Sequence, residues 1–368
     1  MKRTQRRAFT LIEMLVAMAL TLFVMVILSQ AFVTALETFS QLKGIGDMQG
    51  NLRVASTLLQ SDLAQDHFEG KRKLSDPSIV IEPTREGFFY VRLSKNSFSA
   101  LLPEGTDADG LPSYRATADI LYFTIKLRGN KRESFMSARL SALPASPLLT
   151  TGVNFFGQPL DANFQDQPQT FNSQWAEVVY YLARTGSTDE PLNQSSTLGT
   201  PLYALYRGQY LLVPNKDPAN NNVNGTTDNG TIAAYLNVSC YQTPAPPVGT
   251  NRLSFNSPAD VVTRSNRVIE KRGLPEPSAA LVLSNVVSFH VRVLPSGFGF
   301  TDFLDYNTVP PANPMPSPPA PPNTPYPYKE WDTSNPPAPT SVRALQIIIR
   351  VWDPASQQTR QVTLIQDM

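Results

Sequence analysis

The sequence predicts an α+β chain in which a long N-terminal helix precedes an antiparallel β-rich domain. Three observations carry this reading. First, Met14 to Leu36 is a run of 23 residues without a charged side chain, rich in Leu, Val, Met, Ala and Phe. As a helix it spans about 35 Å at roughly 1.5 Å per residue, enough to cross a hydrocarbon core. Second, Leu42, Ile45, Met48, Leu52, Ala55, Leu59 and Leu63 recur at spacings of three and four with polar residues between them, as an amphipathic helix requires. Third, the texture changes after Ser75-Asp76-Pro77 to short alternating or apolar runs broken by Gly, Pro, Asn and Asp, and the 33 prolines and 19 glycines point to many turns.

Taken in order, the chain starts with Lys2, Arg3, Arg6 and Arg7 directly before the apolar run. The positive-inside rule then expects the N-terminus in the cytoplasm and everything after Leu36 outside, in a single pass. Without those four, 27 basic residues face 30 acidic ones, so the remainder has no electrostatic footprint for nucleic acid. Cys240 is the only cysteine, which excludes an intrachain disulfide and a thiolate metal cluster. Within the apolar segment Glu13 stands out, because a charge at membrane depth is costly and calls for a partner. An ordinary signal peptide has a shorter apolar core closed by small residues, for which Ser29-Gln30-Ala31 is only a faint candidate. A plain anchor has no use for Glu13 or for the abrupt basic-to-apolar switch at Ala8-Phe9.

The stretch AFTLIEMLVAMAL resembles the prepilin-type cleavage and methylation motif of type IV pilins and type II secretion pseudopilins. The resemblance implies that a prepilin peptidase cuts after Ala8, which stands where that family usually has Gly, and methylates the new N-terminus, Phe9. Glu13 is then the fifth mature residue. The cationic amine of Phe9 and the carboxylate of Glu13 on a neighbouring helix are each the partner the other lacks, and in hydrocarbon such a pair can fix the stagger of packed helices. The implied organisation is a leader at 1–8, a helix over 9–70 with its membrane span at about 14–36, and a periplasmic pilin-like β-rich domain over 75–368.

Beyond the bilayer the helix is expected to run to about Phe68, with a bend or melted turn near Gly44, Gly46 and Gly50. Strands are expected at 78–82, 87–93, 119–127, 176–184, 201–213, 231–241, 280–294, 341–352 and 360–366, with hairpin-length gaps that favour antiparallel pairing. Two inserts interrupt them. Residues 215–230 form an Asn-rich polar loop, and residues 310–339 hold 13 prolines in 30 positions, so neither is expected to add core.

The order of elements is similar to that of the J-type minor pseudopilin: a pilin helix continuing into LRVASTLLQSDL, then AEVVYYL with LYR, LVLSNVVSFHVRVL and a closing ALQIIIRVWD. Catalytic chemistry has little to work with. His67 and His290 read as solvent-face histidines, His67 following Asp66 at the end of the helix and His290 on a strand face with Ser288 and Arg292. The chain lacks HExxH, GxSxG and GxxxxGK[ST], and the GFG at Gly297–Gly299 lacks a third glycine. Asn220, Asn222, Asn224 and Gly225 match only the opening of a calcium loop, and Asp107 and Asp109 read as turn residues. No catalytic residue, metal or cofactor is expected. The expected function is that of a minor structural subunit, with other pilin or pseudopilin subunits, the prepilin peptidase and an inner-membrane assembly platform as partners. The alternative is a membrane-anchored exoplasmic binding domain that does not polymerise.

Overall fold

The computed structural model describes residues 10–93, 101–106, 112–139, 170–214, 235–245, 250–295, 303, 330–334 and 341–368. In chain order the elements are α1 (Leu11–Leu63), α2 (Ser78–Ile81), β1 (Phe89–Arg92), β2 (Leu101–Thr106), β3 (Pro112–Ala116), β4 (Ile120–Lys126), β5 (Met136–Arg139) and β6 (Thr170–Ser173). They continue with β7 (Trp175–Ser187), β8 (Pro201–Leu211), β9 (Cys240–Ala245), β10 (Thr250–Phe255), α3 (Val268–Arg272), β11 (Ala280–Pro295), β12 (Glu330–Asp332), β13 (Val342–Asp353) and β14 (Gln358–Asp367). Eight strands form one antiparallel sheet in the order β12-β1-β4-β7-β8-β11-β13-β14, and β2-β3, β5-β6 and β9-β10 are separate two-stranded ribbons. The chain is therefore α+β as its sequence predicts.

Period-two alternation places a core on each face of the sheet. Toward α1 point Phe89, Leu121, Phe123, Val178, Tyr180, Leu205, Ile347 and Ile349, which pack with Met48, Leu52, Ala55, Leu59 and Leu63 of the helix. The opposite face carries Phe88, Tyr90, Tyr122, Val179, Tyr181 and Tyr210, packed with Val261 and Val268 from the segment before and within α3. The sheet is thus buried on both sides over β1, β4, β7 and β8.

Several expectations are corrected. The helix passes unbroken through Gly44, Gly46 and Gly50 and ends at Leu63, with Phe68 buried in the core beyond it. The turn does not melt, since the sheet supports this stretch: a Cβ on Gly44 would lie 2.5 Å from Asp353 Oδ2, so the glycine is the point where the β13-β14 turn touches the helix. Residues 78–81 form one helical turn, not a strand. Asp76 accepts from the Ser78 N–H at 2.8 Å, and a short apolar run does not by itself distinguish strand from buried helix. Of the strand expected at 231–241, residues 235–237 form a turn, Val238 bridges Leu211, and pairing proper begins at Cys240.

The largest correction falls in the proline-rich insert. Within it β12 pairs with β1, Trp331 is only 3% exposed, and Asp332 takes a bidentate salt bridge from Arg267 at 3.0 Å from each guanidinium nitrogen. Proline density argues against a long strand but leaves room for the three proline-free residues of an edge strand. The insert therefore adds core at Glu330–Asp332. The rest of it that was expected to be extended, residues 310–329 and 335–339, lies outside the described residues, as do the Asn-rich loop, Asp107, Asp109 and the GFG stretch.

Candidate functional site: the N-terminal helix and its dock

The helix begins with a capping box that the apolar pattern alone did not reveal. Thr10 is the N-cap, its hydroxyl accepts from the Glu13 N–H at 3.4 Å, and the Glu13 carboxylate accepts from the Thr10 N–H at 2.8 Å. Glu13 also accepts from the Thr10 hydroxyl at 2.9 Å. Within the lone chain, then, Glu13 satisfies donors at the positive end of its own helix. Ala8 and Phe9 lie outside the described residues.

From Leu11 to Lys43 every residue of α1 is exposed, including Leu20 at 61%, Phe23 at 66% and Phe32 at 65%. This is the one helix among the described residues long and apolar enough to cross a membrane. Three of its threonine hydroxyls are satisfied from within: Thr21 donates to Met18 O at 2.8 Å, Thr34 to Gln30 O at 3.0 Å and Thr38 to Thr34 O at 2.8 Å. That is how a hydroxyl is tolerated where water is absent.

The second half is docked. Asp62, 6% exposed, accepts from Arg207 Nε at 2.7 Å, Arg207 Nη2 at 3.0 Å and the Tyr180 hydroxyl at 2.6 Å, joining the helix to β7 and β8. Burial and the Asp62 charge together push the Tyr180 hydroxyl well above its usual range. One turn further on, Asp66 meets Lys126 in a backbone bridge and pairs with Arg128, reaching β4.

His67 closes the dock and departs from the expectation of a solvent-face residue. It is 6% exposed, with Nδ1 at 2.8 Å from Thr124 O and Nε2 at 3.2 Å from Leu63 O, and its ring stands edge-on to Phe89 and Phe123 at 5.2 and 5.1 Å. Burial lowers its pKa, outweighing the two carbonyls. His290 is also buried, at 8%, because β3 and its flank cover that part of β11: Ala116 N donates to Ser288 Oγ at 3.0 Å and Val291 N to the Asp119 carboxylate at 2.9 Å. Strand alternation located its face correctly but could not show what lay on top.

A second buried carboxylate lies on the far face of the sheet. Glu177 is fully buried and accepts from the Tyr122 and Ser239 hydroxyls and from Val268 N at 3.4 Å. Burial pushes it up to about 7, against the pull of those donors and of Arg267 and Arg272. Its bonds hold the segment around α3 on the sheet. Asp62, Arg207 and Glu177 were not singled out by sequence reasoning, since pairs far apart in the chain leave no mark in spacing.

The model of the prokaryotic N-terminal methylation motif matches residues 3–29. Comparison with curated proteins and with solved structures gives no match. The motif, the long apolar helix that carries it and the antiparallel sheet domain behind it are similar in arrangement to type IV pilins and pseudopilins, and support a pilin-like chain.

Proposed function

We propose that the chain is a minor, J-type structural subunit that assembles through α1 into a type II secretion pseudopilus or a type IV pilus-like filament. The observation that carries this is the division of α1. A methylation motif opens a helix whose first half is exposed throughout among the described residues, while the second half is fixed to a sheet domain. A structural subunit needs such a handle. In this reading the peptidase cuts after Ala8, Phe9 becomes the methylated N-terminus, and the sheet domain lies on the periplasmic side, as the basic cluster at Lys2–Arg7 favours.

Glu13 has a defined part. In the lone chain it caps its own helix through Thr10. In the assembly its carboxylate also meets the Phe9 amine of a neighbour, and every register that leaves either charge alone is penalised. A sheet domain of this size is bulky to repeat around tightly packed helices, which supports a minor subunit near a filament tip. The test is Glu13→Ala with processing and incorporation followed separately. Processing to Phe9 should continue while incorporation into filaments fails; incorporation equal to wild type would overturn the pairing. An intact mass showing a mature N-terminus near residue 32 would overturn the assignment itself.

A further inference from the structure

The two edges of the eight-stranded sheet are unlike. At one, β12 offers three residues beside a proline tract. At the other, β14 pairs with β13 over ten consecutive positions, from Asp353↔Gln358 to Ala344↔Asp367, without a shift in register. Natural sheets blunt a long edge with a proline, a bulge or a charge within the strand. Between Arg360 and Asp367 the strand reads QVTLIQ and has none of these.

One bond fixes the direction of its backbone groups. Met368 N donates to Arg343 O at 2.9 Å, so the pair one step beyond the strand is of the hydrogen-bonded kind. Such pairs alternate along an antiparallel ladder. The N–H and C=O groups of Gln358, Arg360, Val362, Leu364 and Gln366 therefore point to β13, and those of Thr359, Gln361, Thr363, Ile365 and Asp367 point outward. All five outward residues are exposed. The Asp367 carbonyl accepts from Gln366 Nε2 at 3.0 Å; the other outward groups have no backbone partner among the described residues. They recur about every 7 Å, a row that an extended backbone matches.

Charge marks the two ends of this row. Arg360 and Asp367 are exposed, and among the described residues neither side chain makes an ion pair. Arg360 lies on the face of the sheet that carries Val362, Leu364 and α1, and Asp367 on the opposite face with Ile365.

We propose that the free edge of β14 takes an antiparallel strand from a different protein chain, uncharged and β-branched between a cation opposite Asp367 and a carboxylate opposite Arg360. A second copy of this chain is a poor donor on two grounds. The two-fold axis relating antiparallel neighbours in one sheet stands perpendicular to it, so it would point the two α1 helices in opposite directions and both could not enter one membrane. Residues directly opposite each other also share a face, so Arg360 of one copy could not meet Asp367 of the other. The inference rests on α1 being a membrane anchor and not on filament assembly.

The test titrates the full chain in detergent micelles with a fluorescein-labelled peptide, KTVITVTET, whose first residue falls opposite Asp367 and whose eighth falls opposite Arg360. It should bind saturably below about 1 mM. Binding should slow hydrogen exchange at the amides of Thr359, Gln361, Thr363 and Ile365 and leave those of Val362 and Leu364 unchanged. Thr363→Pro removes an outward N–H and no bond to β13, and should abolish binding. Arg360→Glu, at an exposed position, should weaken binding about threefold and regain it when the eighth residue of the peptide is lysine. This second variant decides the matter if the proline disturbs the fold. No saturable binding, protection confined to amides outside β14, or affinity unaltered by both substitutions overturns the site. A chain that dimerises through these same amides overturns the choice of partner. A chain that binds the peptide but never polymerises leaves this inference standing and counts against filament assembly alone.

Discussion

Residues 11–43 and residues 48–63 belong to one unbroken helix, yet all of the first stretch is exposed while Met48, Leu52, Ala55, Leu59, Asp62 and Leu63 of the second are buried. Backbone hydrogen bonding is the same in both, so the difference lies in what the side chains require. The first half is predominantly apolar, without a charge from Met14 to Leu36, and returns the hydroxyls of Thr21, Thr34 and Thr38 to its own carbonyls. It can change surroundings, from lipid to neighbouring helices, without altering a bond within the chain. In the second half a polar group is paired across the interface, and moving the helix would leave a charge buried alone. One half is made to exchange neighbours and the other to keep them.

The comparison breaks most visibly at Asp62. Replacing Asp62 with Ala leaves Arg207, whose side chain is 15% exposed, without its carboxylate, with Gln209 at 2.7 Å and the Tyr180 hydroxyl as its remaining neighbours. Removing one partner of a buried pair costs about 4 kcal/mol, and the sheet domain should lose about that much in urea denaturation followed by tryptophan fluorescence. Adding Arg207→Met should recover part of the loss, since an apolar pair no longer carries an unpaired charge. No recovery would mean that the helix is held by packing alone.

Next in size is Leu59, which is fully buried between α1 and the sheet. Leu59→Ala removes packed methyl groups and leaves a cavity, which should cost about 3 kcal/mol in the same denaturation experiment. Packing and pairing would then be of similar weight in the dock.

A smaller effect comes from pH and arises at the dock and in the sheet behind it. Burial lowers the pKa of His67 from its ordinary 6.5, so the folded chain favours the neutral ring and the unfolded chain takes up the proton first. The stability this supplies is present above pH 6.5 and is lost as the pH falls below it. Glu177 acts in the opposite direction. Its pKa, raised from 4.5 to about 7, means stability present below pH 4.5 and lost as the pH rises toward 7. The Glu177→Gln chain isolates the histidine: its midpoint should fall as the pH drops from 7 to 5. A midpoint that does not move over that range would show that the ring is not held neutral.

Much of this arrangement was legible in the sequence. The helix and its change of character near Leu42 follow from hydrophobic periodicity, and the long strands β7, β8, β11, β13 and β14 from alternation. What escaped is long-range. The edge strand β12 is three residues beside a proline tract, and β9-β10 carries Pro244 within its pairing, so local composition argues against both. Asp62 looked like an ordinary polar residue on a helix, because its partner lies 145 positions away. The burial of His67 against Thr124 leaves no mark in the sequence for the same reason. Glu13 was visible as a charge in an apolar run, but its capping role needed Thr10 to be recognised as the first N-cap.

The smallest expected effect is the sharpest test of the comparison. Leu20→Ala is the same chemical change as Leu59→Ala, on the same helix, but Leu20 is 61% exposed where Leu59 is at 0%. Among the described residues nothing covers it, and leucine and alanine are both good helix formers, so the stability of the sheet domain should change by no more than about 0.5 kcal/mol. Any larger consequence should appear only where the first half has partners, as weaker recovery in the membrane fraction or in filaments. If Leu20→Ala lowers the unfolding midpoint of the sheet domain as far as Leu59→Ala does, the two halves unfold together. The helix could not then pass from lipid to other helices without disturbing its dock. An unchanged midpoint with reduced incorporation is what a helix made of one fixed half and one exchangeable half requires.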